Sequence, residues 1–412
     1  MQRLNWNEAD AATRAAALAR PGARRDPALR DAVAAIVEDV RVGGWEALVA
    51  QGLRIDKAPP RRVPVVPAAE EARRTLSTAQ LRAIELARRN IARFHGKSLP
   101  EAYEVETMPG LRVRKIWRPL DRVGLYVPGG ATPLFSTLLM LALPARAAGV
   151  KEIVVVTPPS PDGSLDPLIA LAADLAGIGA VWTVGGAQAV AALAFGAGDI
   201  RRVDKICGPG NAWVAEAKTC VVGLPGGPAS DMPAGPSELL VIADDSADPR
   251  TVAADLLSQA EHDADAQVLL VATAPGIAAA VEAELTRQLY SLPRVAIAAA
   301  SLASARLILA ETAEQAVEIA NLYAPEHLSL AVADPEPLVA LVRNAGAVFA
   351  GHQAAETFGD YLAGSSHVLP TDGAARAWAS SPSSRASAAA GAAATRAASG
   401  VTCCTVIALR NE

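Results

Sequence analysis

From about Asp121 onward, short β-branched runs alternate with Ala- and Leu-rich windows, and that alternation is the strongest constraint on the fold. Residues 153–156, 181–184, 205–207, 239–242, 268–271 and 306–309 read as strands. Residues 165–175, 187–195, 212–222 and 249–262 read as helices between them. Strands separated by helices are crossed over rather than folded back, so the expected class is α/β with parallel sheets. The segment DMPAGPSE holds two prolines and a glycine, which makes a connection rather than a strand and divides the series into two sheets near residues 231–236. Upstream, 31–49 and 78–94 carry apolar residues at helical spacing, and 111–117 is expected to be extended.

Composition narrows the function classes. Of 412 residues, 51% are hydrophobic and 20% charged, enough to bury a core. The net charge is -5 and the basic pairs are scattered, so no nucleic-acid partner is expected. The four cysteines (Cys207, Cys220, Cys403, Cys404) form no C-x-x-C pair, which fits a reducing compartment. The N-terminus lacks an apolar signal core. The apolar stretch 268–281 is broken by Pro275 and Gly276, short of the roughly 20 residues a spanning helix needs. The expectation is a cytoplasmic protein with no membrane partner.

Three groups of residues could carry chemistry. Gly124–Gly130, Gly185-Gly186-Ala187-Gln188 and Gly208-Pro209-Gly210-Asn211 are glycine-rich, and the last two join a strand to a helix. Bare N–H groups at a helix start favour an anion, although a plain turn uses the same residues. Gln259 and His262 stand three apart near a helix end, and Asp360 and His367 lie in a glycine-containing loop. Imidazole with carboxylate suits zinc, while a helix-capping role for His262 is the alternative. Glu326 and His327 enter a strand, where a base and a water-activating carboxylate could share a cleft, or form a surface turn. His95 reads as an exposed helix end, and His352 as part of a loop.

Taken together, LYVPGG, PLFSTLLMLALPARAAG, VGGAQA, ALAFG, VDKICGPGN, DMPAGPSE, DLLSQAEH, APEHL and GDYLAGSSHVLPT resemble the histidinol dehydrogenase family, in order, over about residues 30–371. The resemblance implies oxidation of L-histidinol to L-histidine through the aldehyde, with two NAD molecules, as the last step of histidine biosynthesis. It implies one zinc ion per subunit, held by Gln259, His262 and Asp360. Glu326 matches the water-activating carboxylate and His327 the proton-shuttling base. Tyr126, Gln188 and Asn211 match positions that contact NAD. Ser237 and His367 match substrate contacts, beside Gln259, His262, His327 and Asp360. The implied fold has two incomplete Rossmann-like domains with parallel sheets, a helical N-terminal segment and an irregular tail, working as a homodimer. The expected partition is a helical segment at 1–24, a first domain from 25–125 and 238–372 bearing the metal and catalytic residues, a second domain at 126–237 on the NAD side, and a tail at 373–412.

The tail departs from the family. A partner-subunit arm there supplies a substrate-binding glutamate and a fourth zinc ligand, a histidine. From Gly373 to Asn411 this chain has neither an acidic residue nor a histidine, and Ala, Ser and Arg dominate from Ala374 to Ser399, as in a GC-rich gene read out of frame. No apolar stripe is written there, so disorder or loose helix is expected. Losing a ligand is expected to weaken zinc binding and turnover. Two other functions fit the upstream motifs: a relative oxidising another small alcohol such as a sulfonated diol, and a non-catalytic copy that binds NAD or a partner chain.

Overall fold

The computed structural model describes residues 1–20, 27–129, 134–231, 235–366, 369–376 and 405–408. The chain opens with strand β1 (Gln2–Asn5), helix α1 (Ala11–Ala17) and helix α2 (Pro27–Ile55), which kinks at Gly44. Strand β2 (Arg61–Pro64) leads to α3 (Val65–Thr75), α4 (Thr78–Lys97) and a hairpin of β3 (Tyr103–Met108) and β4 (Leu111–Lys115). Then follow β5 (Arg122–Tyr126), α5 (Phe135–Ala147), β6 (Glu152–Thr157), α6 (Pro167–Leu175), β7 (Ala180–Thr183), α7 (Gly186–Phe195), β8 (Lys205–Cys207), α8 (Ala212–Val222) and β9 (Ala229–Ser230). The second half runs β10 (Glu238–Ala243), α9 (Pro249–Ala260), β11 (Gln267–Ala272), α10 (Pro275–Leu289), α11 (Val295–Ala303), β12 (Arg306–Leu309), α12 (Ala313–Tyr323), β13 (His327–Ala331), α13 (Glu336–Val339), β14 (Ala347–Ala350), α14 (Thr357–Tyr361) and β15 (Thr405–Ala408).

Two parallel sheets result. One has the order β2-β7-β6-β5-β8-β9, with only β2 antiparallel to its neighbour. The other has the order β1-β12-β11-β10-β13-β14-β15 and is parallel throughout. Central strands alternate their side chains between two cores, as the strand repeat requires. Leu239, Val241 and Ala243 pack under α9, α10 and α11, while Leu240 and Ile242 pack under α12. Each fully buried Leu, Ile or Val contributes about 1.5–3 kcal/mol, so cores on both faces fix strand order and register together.

The expected partition needs three corrections. Residues 25–125 belong with the smaller sheet, because β2 and β5 are its strands and α2, α3 and α4 pack on α7, α6 and α5. The first residues form an edge strand of the larger sheet, since β1 pairs with β12 from Gln2↔Arg306 to Asn5↔Leu309. The described part of the tail, Thr405–Ala408, is a strand paired with β14 rather than loose helix. Thr-Val-Ile is β-branched, which suits a pleated edge.

His95 also differs from expectation. It lies one turn after Ile91 on the face of α4 that packs against α5, so it is buried, and neither ring nitrogen has a hydrogen-bond partner. Burial alone depresses its imidazole from 6.5 to about 4. Between those values the unfolded chain binds a proton that the fold resists. The contribution is therefore complete above pH 6.5 and is lost as pH falls towards 4, at ~1.4 kcal/mol per unit, or ~3 kcal/mol in all. Urea unfolding of wild type and His95→Phe at pH 7.5 and 4.5 tests this. The wild type should lose ~2–3 kcal/mol more than the variant on acidification; a difference independent of pH contradicts it.

Candidate active site

The larger sheet sets the site through one register. Leu239 of β10 pairs with His327 of β13, so Glu238 stands beside the dipeptide Glu326-His327. Neighbouring residues on a regular strand would face opposite ways. Here Glu326 precedes β13, and α12 ends in a left-handed Ala324 (φ 59°) whose N–H bonds the Ala320 carbonyl. That turn lets both side chains meet Glu238. Its N–H donates to Glu326 Oε2 at 3.0 Å, and its carbonyl oxygen lies 3.1 Å from His327 Nδ1. A carbonyl only accepts, so Nδ1 carries the hydrogen and Nε2 is the basic nitrogen. Both side chains are buried.

The Glu238 side chain is itself gripped. Arg20 Nε and Nη2 donate to its two carboxylate oxygens at 2.6 and 2.8 Å, and the Asp372 N–H donates to Oε1 at 2.9 Å. Arg20 also bonds the Tyr323 and Ala324 carbonyls and lies 4.0 Å over the Tyr323 ring. Arg20 carries no sequence signal and Glu238 only its place at the end of DMPAGPSE; the fold brings the two together across 218 positions.

Around His327 Nε2 stands a second carboxylate, Glu356, with Oε1 3.8 Å away. Its Oε2 accepts from Ser258 Oγ at 3.3 Å. Ser258 precedes Gln259, whose Oε1 is buried without a partner. An orphaned buried oxygen is costly unless something outside the protein ligates it, so Gln259 fits a metal ligand. α9 ends at Ala260 with Glu261 as cap, which leaves Gln259 buried and His262 exposed beyond the helix. Asp360 lies in α14 rather than a loop, one turn after Glu356; its side chain and all of His367 lie outside what the structure describes. Among the described residues, no three His, Cys, Asp or Glu side chains form a metal-sized cluster. Asp255, on α9, is pushed up to about 7 by burial, against a lowering bond from the Glu356 N–H.

The smaller sheet gathers the residues expected to meet NAD. Its order reverses between β5 and β8, the switch point at which open α/β sheets bind ligands beyond the carboxyl ends of their strands. Tyr126 ends β5, and its hydroxyl accepts from the Gly186 N–H at 3.1 Å. Burial pushes that phenol up to about 12. Gln188 donates through Nε2 to Asp56 at 3.1 Å, while its Oε1 is buried without a partner. Asp56, which also accepts from the Gly185 N–H, is raised by burial. Asn211 caps α8 by accepting from the Trp213 and Val214 N–H groups. A Cβ at Gly208 (φ 128°) would lie 2.0 Å from the Tyr126 carbonyl, so only glycine permits this approach. A buried Lys218–Asp231 ion pair clamps the same turn: Lys218 donates to the Gly208 carbonyl and Asp231 accepts from its N–H. Ser237 sits half-buried before Glu238, its carbonyl accepting from the Gln267 N–H.

Comparison with known proteins decides the family. The histidinol dehydrogenase family model matches residues 19–383. This chain belongs to the histidinol dehydrogenase family. It is 47% identical over 379 residues to the histidinol dehydrogenase of Xylella fastidiosa (strain 9a5c), covering 92% of this chain and 88% of that protein. Histidinol dehydrogenase of Xanthomonas campestris pv. campestris (strain 8004) is 48% identical over the same shares. The crystal structure of histidinol dehydrogenase from Elizabethkingia anophelis superposes with a TM-score of 0.86 at 40% identity, covering 91% of this chain and 86% of that one. These likenesses favour neither the sulfonated-diol enzyme nor the non-catalytic copy.

The grip on Glu238 yields a prediction. Arg20→Met leaves a fully buried carboxylate without its cation, which should cost about 3–5 kcal/mol of unfolding free energy. Urea denaturation measures it, and a loss below about 1 kcal/mol would mean Glu238 does not depend on Arg20.

Proposed function

We propose that this family member oxidises L-histidinol to L-histidine by two successive hydride removals to NAD, with Glu326 and His327 as the reacting protein groups. The observation that carries the reading is that pair, buried and locked to Glu238 so that the basic nitrogen of His327 is Nε2. Gln259, His262 and Asp360 would hold zinc; Tyr126, Gln188 and Asn211 would hold NAD; Ser237 and His367 would contact substrate. When bound, zinc orients a substrate rich in nitrogen ligands and NAD accepts the hydrides.

The chain's own groups move protons. His327 Nε2 takes the hydroxyl proton as the carbinol C–H bond breaks, leaving the aldehyde. Glu326 accepts a proton from the water that adds to that aldehyde, while His327 returns its proton to the aldehyde oxygen, which gives the hydrate and restores Nε2 as the base. His327 then takes the hydroxyl proton of the hydrate, and the product is the carboxylate. Burial of both groups limits competing solvent at the base.

The proposal includes a homodimer in the cytoplasm. The hairpin β3–β4 supports the dimer: Tyr103, Val105, Met108, Leu111 and Val113 are all exposed, and an isolated two-stranded ribbon is marginal in water. Among the described residues, no helix is long and apolar enough to cross a membrane.

Two measurements test this. With added zinc, NADH formation from L-histidinol should fall about 10²–10⁴-fold in His327→Asn, and comparable rates in both proteins would refute the base assignment. Gln259→Ala should bind zinc at least about tenfold more weakly by competition with a chelator; unchanged zinc affinity would remove Gln259 from the ligand set.

A further inference from the structure

We infer that Glu356 is a positioning residue for His327: its carboxylate holds the imidazole ready to accept a proton at Nε2 and stabilises the imidazolium that results. This rests on His327 acting as the base in the function proposed above.

Glu356 occupies the N-cap position of α14, yet its side chain caps nothing. The carboxylate turns inward and is buried, which is costly unless it has a purpose there. Both of its oxygens are engaged within the site. Oε1 faces His327 Nε2 at 3.8 Å, longer than a hydrogen bond and within range of strong Coulomb attraction in a buried setting. Oε2 accepts from Ser258 Oγ, whose hydroxyl lies within reach of the Asp255 carbonyl as well. The Glu356 N–H points at the Asp255 carboxylate. Two elements therefore fix Glu356, α14 through its backbone and α9 through Ser258 and Asp255.

Among the described residues, the groups facing His327 divide the work between its two nitrogens. At Nδ1 stand the Glu238 carbonyl and Glu326 Oε2, at 3.1 and 3.7 Å; at Nε2 stands Glu356. Phe349 on β14 packs beside the ring with centroids 5.9 Å apart and adds no charge. In the alcohol step the substrate O–H bond breaks and an Nε2–H bond forms, while hydride goes to NAD. The ring gains a positive charge, and Glu356 carries the opposite charge on the side where the new proton arrives. A carboxylate near a histidine favours its charged form. Glu326 keeps the separate role of taking a proton from water in the reaction proposed above. The two acidic neighbours thus have separate tasks, which an arrangement with both at Nδ1 would not provide.

The experiment compares wild type with Glu356→Gln and Glu356→Asp as zinc-loaded full-length protein. For Glu356→Gln, kcat should fall about 10–100-fold, with KM for histidinol and NAD within threefold and zinc content unchanged. Glu356→Asp should recover part of kcat. A retained kcat overturns the inference, and so does a loss of zinc with both KM values raised, which would mean a merely structural role. A second readout is independent of turnover: the His327 imidazole ¹⁵N resonances, assigned with His327→Gln, in metal-free protein. Proton binding at His327 should be about tenfold weaker in Glu356→Gln, and equal binding overturns the inference. If wild type makes no NADH from histidinol while the resonances shift as expected, the function proposed above fails and the Glu356–His327 coupling stands.

Discussion

The parallel pairing of β10 with β13 is the contact on which the site depends. Its register puts Glu238 opposite the entrance of β13, and Glu238 then serves several partners at once. Its N–H orients Glu326, its carbonyl selects the His327 tautomer, and its carboxylate is locked by Arg20. A slip of one residue would turn Leu239 and Leu240 to the wrong cores as well as break these bonds. The hydrophobic cores on both faces of the sheet therefore enforce the geometry of a polar site at its edge. Packing and chemistry share one constraint.

The two sheets use opposite edges. Open α/β sheets bind ligands beyond the carboxyl ends of their strands, and the smaller sheet follows that rule at Tyr126 and Gly208. The larger sheet does not. Glu238, Glu326 and His327 stand at the amino ends of β10 and β13, and Gln259 stands at the carboxyl end of the returning helix α9, on the same edge. Contacts between the halves tie them there: Asn90 on α4 donates to the Leu362 carbonyl, and Gly364 approaches the backbone of Asn90 too closely to admit a Cβ. A hydride acceptor at a carboxyl edge and a base at an amino edge can then address one substrate from two sides.

How much of this was legible in the sequence follows from the range of each interaction. The strand–helix alternation was readable because burial repeats every two or every 3.6 residues, and the strands from 153 to 309 appear where that pattern puts them. The partition was misjudged because α2, α3 and α4 carry helical patterning but no mark of which sheet they cover. His95 looked exposed because its neighbours Arg93 and Lys97 are charged, whereas its own place on the helix face, four residues after Ile91, buries it. Glu326, His327, Gln259 and Glu238 stand within the family motifs. Glu356, Arg20 and Asp56 stand outside them, since each is polar for a partner brought in from far along the chain.

The buried charges also bear on why a neutral glutamine suits the ligand set. Around His327 the carboxylates of Glu238, Glu326 and Glu356 are buried, and Arg20 pairs with the first. Carboxylates gathered in a low-dielectric pocket disfavour further anionic groups, and burial by itself pushes Asp255 up to about 7. An additional carboxylate in place of Gln259 would add to that repulsion. An amide oxygen supplies a ligand without charge. A divalent ion beside these carboxylates would offset their negative charge, so a cation that oriented substrate there would also favour keeping the base and the carboxylates buried together.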